Sequence, residues 1–264
     1  MKTELPIYLE IKKVVNESKD IKTLIFERNL DSSPGQFVNV WLPRVNEKPY
    51  SISFQDKNRF AITIFAIGPF SKKLHELKQG DKVGIRGPYG NGFVLRGERI
   101  ALVGGGCGAA PLAFLADEAV KKNIQVDFII GARNKDLIIF KKRFERSKVN
   151  LKICTDDGSE GFKGFTTELL EESLKKDQID CIYACGPEIM LKKVIDISDR
   201  YNTACQVSLE RYMKCGFGVC GQCCVDPIGI CICKEGPVLP KNIARQITEL
   251  GKYKRDAAGA KVRI

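Results

Sequence analysis

The sequence predicts a multidomain protein with an antiparallel β-barrel, an α/β domain built on a parallel sheet, and a small cysteine-rich domain. Three observations lead to this fold class. Short apolar strands separated by glycine and proline fill the first third of the chain, strands alternate with helices in the middle, and cysteines cluster near the end. We expect domains at residues 1–97, 98–204 and 205–264, and the length of 264 residues can accommodate them.

The first region contains six short runs of β-forming residues with turn residues between them. The runs are PIYLEIKKVV, IKTLIFE, GQFVNVWL, YSISF, FAITIFAI and DKVGIRGP. Short strands of this kind, punctuated by Gly and Pro, are typical of antiparallel sheets that close on themselves. We therefore expect this region to form an antiparallel barrel.

From Arg99 onward the pattern changes to apolar strands separated by helical segments. The strands are RIALVGG, QVDFIIGA, VNLKICTDD and DCIYACG, and the helical segments include AAPLAFLADEAVKKN and FTTELLEESLKKD. Such an alternation indicates a parallel sheet whose strands are joined by crossover helices. The middle region is therefore predicted to be an α/β domain.

A glycine cluster lies between the first of these strands and its helix. Gly104, Gly105, Gly106 and Gly108 allow a tight turn and a close approach of the backbone to a pyrophosphate. The helix that follows offers free N–H groups to phosphates. The turn predicts dinucleotide binding, with a glycine-rich turn that binds nothing as the alternative. Because Arg133 follows the second strand, where an acidic residue often contacts the ribose, the sequence leaves NAD and NADP open.

Cys185 ends the last strand of this region, in the motif CGP. Open α/β sheets bind ligands at the carboxyl ends of their strands, which places this thiol at the predicted nucleotide site. The alternative is a small buried thiol that only packs. The glycine cluster and CGP together resemble the ferredoxin reductase family, and the upstream motifs KPYSIS, FAIGPFSKKL and GPYGNGF fit the same family in the same order.

This resemblance implies an FAD-binding barrel and a nicotinamide-binding α/β domain, with Cys185 in a catalytic position beside flavin and nicotinamide. Tyr50 can pack on the isoalloxazine face and Ser51 can hydrogen-bond its edge. Lys48 stands where the family has arginine, so it keeps the charge and loses the bidentate fork. The FAD-binding residues implied are Lys48, Pro49, Tyr50, Ser51, Phe65, Ala66, Ile67, Gly68, Phe70 and Ser71.

Six of the chain's 11 cysteines lie between residues 214 and 236. The N-terminus has no apolar segment of signal-peptide type, and the longest apolar stretch is broken by Gly and Pro. We therefore expect a cytoplasmic protein without a membrane span. In a reducing compartment, clustered cysteines indicate metal or redox chemistry more than disulfides.

The spacing of Cys215, Cys220 and Cys223 follows the plant-type iron–sulfur pattern. A zinc knuckle would prefer two short pairs, which Cys220 and Cys223 with Cys231 and Cys233 could imitate, so a zinc-stabilised module without redox activity is the alternative. If ICIC is a strand, Cys231 and Cys233 point to one side, and the spacing leaves the fourth ligand open.

SLERYMKCGFGVCGQC followed by CKEGPV is similar to the electron-transfer subunits of class 1B dihydroorotate dehydrogenases. This resemblance implies a 2Fe–2S cluster on Cys215, Cys220, Cys223 and Cys233, which leaves Cys224 and Cys231 as bystanders. It also implies a place in pyrimidine biosynthesis, where an FMN-containing catalytic partner oxidises dihydroorotate and electrons pass through the cluster and FAD to NAD.

The implied assembly is a heterotetramer of two catalytic and two electron-transfer subunits. The rival assignment is a related reductase subunit of another complex, such as a ferredoxin–NADP transhydrogenase, a sulfide dehydrogenase or a hydrogenase. The formal charge of +11 comes from 43 Lys and Arg against 32 Asp and Glu, spread along the chain. Because basic and aromatic residues do not alternate, we expect no nucleic-acid partner.

Overall fold

The computed structural model describes residues 5–264, and its first domain is a closed antiparallel barrel with strand order β1-β2-β5-β4-β3-β6. The first strand pairs with both the second and the sixth, so the sheet has no free edge. The predicted barrel is confirmed. Its elements are β1 (Ile7–Ser18), β2 (Ile21–Phe26), β3 (Phe37–Leu42), β4 (Asn46–Gln55), β5 (Phe60–Phe65), α1 (Pro69–Glu76) and β6 (Lys82–Tyr89).

The barrel interior is filled by apolar side chains that alternate along the strands. Leu24, Val40 and Ile62 are fully buried, as the two-residue period of a strand requires for one face. Phe114, which belongs to the second domain, packs into the same apolar cluster. The barrel and the α/β domain therefore share part of their core.

The second domain is a seven-stranded sheet with order β10-β9-β8-β7-β11-β12-β13. All neighbouring strands are parallel except the last pair, which is antiparallel. The predicted α/β architecture is confirmed. Its elements are β7 (Arg99–Gly105), α2 (Ala109–Lys121), β8 (Gln125–Ala132), α3 (Lys141–Phe144), β9 (Asn150–Thr155), β10 (Phe162–Lys163), α4 (Thr166–Lys176), β11 (Cys181–Cys185), α5 (Glu188–Arg200), β12 (Ala204–Ser208) and β13 (Val238–Pro240).

The cysteine-rich segment is a long excursion between β12 and β13. Residues 209–237 contain no helix or strand, and the N–H of Leu209 donates to the carbonyl of Pro237 at 2.9 Å, which closes the neck of the loop. The sheet thus anchors both ends of the loop. The chain then ends in three short elements, α6 (Lys241–Ala244), β14 (Tyr253–Arg255) and β15 (Lys261–Arg263). Within residues 5–264 no helix has the length and apolar character that crossing a membrane requires.

Arg211 connects three distant parts of the chain in a buried ion-pair network. Its side chain is 2% exposed and pairs with Glu188 at the start of α5 and with Glu249, whose Oε1 lies 3.2 Å from Nη2. Glu188 also accepts the N–H of Gly251 at 3.0 Å. Removing one partner of a buried ion pair costs about 3–5 kcal/mol. The network therefore fixes the segment before the cysteines against the α/β domain.

The close packing of the turn between β7 and α2 predicts that a larger side chain there lowers the stability of the protein. A Cβ added at Gly108 would lie 2.1 Å from the carbonyl oxygen of Cys185, so β11 would have to move. We expect Gly108→Ala to lower the free energy of unfolding by about 1–3 kcal/mol through overpacking, measured by urea denaturation. Gly68→Ala is the control, because a Cβ there has no neighbour within 4 Å and the backbone is extended. Equal stability of the two variants would contradict this packing.

Candidate functional site

A cavity of about 260 Å³ lies between the barrel and the carboxyl ends of the parallel strands. The barrel contributes β4 and β5, and the α/β domain contributes β11 and the turn before α2. Apolar walls with a few polar groups are typical of cofactor sites. The structure brings six of the predicted residues together in its lining: Pro49, Tyr50, Ser51, Phe65, Ile67 and Cys185.

Tyr50 lines this cavity, and the ring of Phe70 packs against it. Phe70 is buried and its ring centroid lies 6.4 Å from that of Tyr50, so it packs behind Tyr50 and does not line the cavity. Burial raises the pKa of the Tyr50 hydroxyl, which keeps the ring neutral. A neutral, fixed aromatic ring is suited to stack on a flat ring system.

The start of α1 is organised by Ser71. Its Oγ accepts the N–H groups of Ile67 at 3.0 Å and Gly68 at 2.9 Å, so the hydroxyl is engaged in capping the helix. Ala66 and Gly68 are sequence neighbours of the lining residue Ile67, but they do not line the cavity themselves. These residues shape the end of the barrel strand that carries Phe65.

Lys48 lies next to the cavity lining and is held by a residue from the cysteine-rich segment. Its Nζ donates to the hydroxyl of Tyr212 at 2.8 Å and lies 4.2 Å from the centroid of that ring. The contact places a positive charge between the barrel and the segment that precedes the cysteines. A phosphate is one group that such a charge can bind.

The glycine cluster separates into two kinds of position. An added Cβ would find a neighbour within 3 Å at Gly104, Gly105 and Gly108, so these glycines permit strand and helix to pack closely. Gly106 differs, because its φ is +55° and a Cβ there would have no neighbour within 4 Å. It is therefore the position at which a bound pyrophosphate could approach the backbone.

Cys185 is buried at the inner end of the cavity. Desolvation raises the pKa of its thiol well above the usual value, and the nearby charge of Glu210 acts in the same direction. The thiol therefore stays protonated and is a poor nucleophile. It can contact a neutral ring without adding charge to the site.

The segment SLERYM also lines the cavity, through Ser208, Leu209, Glu210, Arg211 and Met213. Glu210 has an accessible surface because it faces the cavity, yet protein surrounds it and burial raises the pKa of its carboxyl group. Its Oε1 lies 3.6 Å from the Cys107 sulfur. Sequence reasoning treated this segment only as a family motif. The segment follows the carboxyl end of β12, where open α/β sheets bind ligands, and this position could have identified it as part of the cavity.

The four predicted cluster cysteines form two close pairs. Partial burial would raise the pKa of Cys215, but the N–H groups of Cys220 and Phe217 and the Cys220 side chain lower it to about 6. In the second pair, the Cys233 side chain outweighs burial and lowers the pKa of Cys223 to about 7, and the N–H of Cys233 lies 3.3 Å from the Cys223 sulfur. A cysteine sulfur that accepts hydrogen bonds from N–H groups is stabilised as the thiolate, which is the form that binds iron.

A two-by-two arrangement suits a cluster of two irons. Within residues 5–264 no three Cys, His, Asp or Glu side chains converge to hold a single metal ion. Cys215 nevertheless lies close enough to the second pair for its charge to raise the pKa of Cys223 and of Cys233. A 2Fe–2S cluster takes four thiolates divided between two irons, so these residues fit that cluster better than a single zinc ion.

Cys231 and Cys233 do not point to one side, because the ICIC sequence does not form a strand. Cys231 makes a single antiparallel bridge with Cys224, and the chain turns immediately afterwards. The sulfurs of Cys224 and Cys231 are 2.9 Å apart, whereas Cys233 lies beside Cys223. The strand premise is therefore wrong, and the turn separates the roles of the two cysteines.

The cysteine loop rests on the barrel and reaches the cavity. Arg86 and Asn39 donate side-chain hydrogen bonds to the carbonyl of Cys215 at 3.2 and 3.3 Å. Met213 lines the cavity and precedes Cys215 by two residues. Phe37 also lines the cavity, and its ring centroid lies 5.8 Å from that of Tyr89, which in turn lies 6.3 Å from that of Phe217 in the cysteine loop. The cysteine pairs and the cavity are therefore adjacent parts of one site.

Three known families match successive parts of the chain. Residues 8–93 match the oxidoreductase FAD-binding domain and residues 102–196 match the oxidoreductase NAD-binding domain. Residues 210–243 match the iron–sulfur cluster binding domain of dihydroorotate dehydrogenase B. The order agrees with the barrel, the α/β sheet and the cysteine loop.

Solved structures with this fold include an NADH-dependent reduced ferredoxin–NADP oxidoreductase, studied for flavin-based electron bifurcation. It has a TM-score of 0.80 and 26% identity, with 91% of this chain and 93% of that chain covered. Phthalate dioxygenase reductase has a TM-score of 0.61 at 21% identity, with 74% and 64% covered. The second likeness concerns the fold alone.

Among curated relatives, the protein of Methanocaldococcus jannaschii is 50% identical, with 98% of this chain and 99% of the relative covered. The protein of Methanothermobacter thermautotrophicus is 47% identical, with 98% and 97% covered. Each is named a probable dihydroorotate dehydrogenase B (NAD(+)), electron transfer subunit. Identity of this level over nearly the whole length shows common membership, and the chain belongs to the family of dihydroorotate dehydrogenase B electron transfer subunits.

Proposed function

We propose that the chain carries electrons from the FMN of a dihydroorotate-oxidising partner, by way of a 2Fe–2S cluster and FAD, to NAD in pyrimidine biosynthesis. The observation that carries this proposal is the row of rings that leads from Phe37 in the cavity lining through Tyr89 to Phe217 in the cysteine loop. When bound, FAD supplies hydride exchange with the nicotinamide and single-electron exchange with the cluster. The protein contributes the positions of these groups.

The predicted binding residues form three sites, for the flavin, the nicotinamide cofactor and the cluster. Tyr50 and Ser51 would hold the flavin ring at the cavity, and Cys185 would close the opposite wall as a neutral thiol. Gly106 would admit the pyrophosphate of the nicotinamide cofactor. Cys215, Cys220, Cys223 and Cys233 would hold the cluster. Anaerobic purification followed by iron, sulfide and flavin analysis tests the whole set, and a colourless protein with zinc would contradict it.

A related reductase of another complex is the second candidate, because the ferredoxin–NADP oxidoreductase structure covers 91% of this chain. The identity of 26% to that structure is well below the 50% to the Methanocaldococcus jannaschii relative, which favours dihydroorotate as the electron source. Affinity purification from native cells separates the two. The proposal expects an FMN-containing, dihydroorotate-oxidising subunit to co-purify in a complex of two catalytic and two electron-transfer chains.

The ligand assignment predicts which cysteine substitutions remove the cluster. Cys215→Ser, Cys220→Ser, Cys223→Ser and Cys233→Ser should each reduce the iron and sulfide content, because each removes one thiolate from the set. Cys224→Ser is the matched control and should retain the full content. If Cys233→Ser keeps its iron and Cys231→Ser loses it, the fourth ligand is Cys231.

The nucleotide assignment predicts the effect of a side chain at Gly106. Asparagine tolerates the left-handed backbone conformation at this position, and its Cβ has open space, so Gly106→Asn should fold normally. Its side chain would occupy the space of the pyrophosphate and should raise the KM for NADH by about tenfold, equivalent to about 1.4 kcal/mol. Steady-state NADH–dye reduction measures this. Unchanged NADH kinetics in a folded, FAD-loaded variant would show that the site is elsewhere.

The docking face for the catalytic partner is proposed to be the cysteine loop. Phe217 and Val219 are 36% and 77% exposed there although both are apolar. Phe217→Asp should weaken complex assembly at least tenfold, because it places a charge in a desolvated interface. NADH–dye activity should be retained.

Phe165→Asp is the matched control, because Phe165 is 56% exposed at the start of α4 on the α/β domain. Analytical ultracentrifugation of the mixed subunits gives the affinity of each variant. Equal affinities for the two Phe→Asp variants would contradict docking through the cysteine loop.

A further inference from the structure

Cys224 and Cys231 face each other across a short antiparallel bridge, with their sulfurs 2.9 Å apart. The flanking backbone bonds run from Val225 N–H to the Ile230 carbonyl and from Ile232 N–H to the Cys223 carbonyl. The two cysteines are therefore a non-hydrogen-bonded pair, whose Cα atoms in antiparallel sheets are about 4.5 Å apart. Disulfides need about 4.4–6.8 Å between Cα atoms, so this pair can be bridged without moving the backbone.

The neighbouring thiols of the parallel sheet lack this geometry. Cys181 and Cys205 lie on adjacent parallel strands, but Cys181 is opposite Ala204 and Cys205 is opposite Ile182. Their side chains enter different apolar clusters on the two faces of the sheet, so they cannot join. Cys224 and Cys231 are also partly exposed, which gives a small oxidant access.

We propose that Cys224 and Cys231 form a reversible thiol–disulfide site within the hairpin that carries two of the cluster ligands. The site goes beyond the electron-transfer function and rests on the assignment of the cluster to Cys215, Cys220, Cys223 and Cys233.

The oxidant is a low-molecular-weight disulfide. The thiolate of one cysteine attacks it, so that its S–S bond breaks, one thiol leaves and a mixed disulfide forms. The second cysteine, as thiolate, then attacks the protein sulfur and releases the second thiol. The two cysteines are oxidised by two electrons, and the small disulfide is reduced to two thiols. A small dithiol reverses the reaction.

The position of the pair gives the reaction a consequence for the cluster site. Cys223 directly precedes Cys224, and Cys233 follows Cys231 by two residues. A bridge between Cys224 and Cys231 would tie together the two chain segments on either side of the turn, and Cys223 and Cys233 belong to these segments. The oxidised hairpin therefore has fewer conformations available than the reduced one.

The test uses the anaerobically purified protein with cluster and FAD bound. The protein is incubated with glutathione disulfide or with dithiothreitol, its visible spectrum is recorded, and free thiols are labelled with N-ethylmaleimide before trypsin digestion. Cleavage after Lys214 and Lys234 releases residues 215–234 as one peptide that contains all six clustered cysteines. Bound iron protects the ligand cysteines from the label during this step.

We expect the reduced protein to carry two labels on this peptide and the oxidised protein none, with unchanged cluster absorbance in both. Dithiothreitol should restore both labels. In Cys224→Ser the remaining thiol should carry a glutathione adduct after oxidation, because no second sulfur can resolve it.

Two labels on the oxidised wild-type peptide, with the cluster intact, would overturn the proposal. Loss of iron from Cys231→Ser would also overturn it, because Cys231 would then be a ligand. Failure of the electron-transfer function is recognised separately, as absence of iron or flavin from the wild-type protein.

Discussion

The position of the cysteine loop depends on a guanidinium that is buried between two carboxylates. Arg211 has its side chain 2% exposed and pairs with Glu188 from the α/β domain and Glu249 from the C-terminal segment. A buried charge is tolerated only where it is paired, so this arrangement admits few alternative positions for the segment that contains it. That segment lines the cavity between the two domains at Glu210 and leads directly to Cys215, the first of the proposed cluster ligands.

Two further features also fix the position of the cysteine loop. Its two ends belong to neighbouring strands of the sheet, and its first cysteine is held at the carbonyl group by Arg86 and Asn39 of the barrel. All three parts of the chain therefore meet at one place. An electron carrier needs its redox groups close together, and these contacts supply that proximity by connecting the cluster loop to both domains that form the cavity.

The sequence predicted much of the fold because its patterns are periodic. Strand alternation identified the barrel, and the strand–helix alternation identified the parallel sheet, which in turn placed Cys185 at a ligand-binding edge. Motif resemblance indicated Tyr50 and Ser51, and both line the cavity. Sequence reasoning missed Glu210 as a lining residue, because its importance depends on which loop folds over the cavity. It also could not show that Cys231 faces Cys224, since an irregular loop has no period from which side-chain directions follow.

If one chain connects a cluster, a flavin and a nicotinamide site, electrons placed on the cluster must reach NAD without a partner subunit. The most direct test is to reduce the isolated chain anaerobically with dithionite, remove the excess, add NAD, and follow the cluster by electron paramagnetic resonance and NADH by absorbance. A fully reduced chain holds about three electrons, two on FAD and one on the cluster, and each NADH takes two. If cluster electrons reach the flavin, two chains together form about three NADH and the cluster signal falls, in the absence of any partner. A yield limited to about one NADH per chain, with the cluster signal undiminished, would contradict this connection.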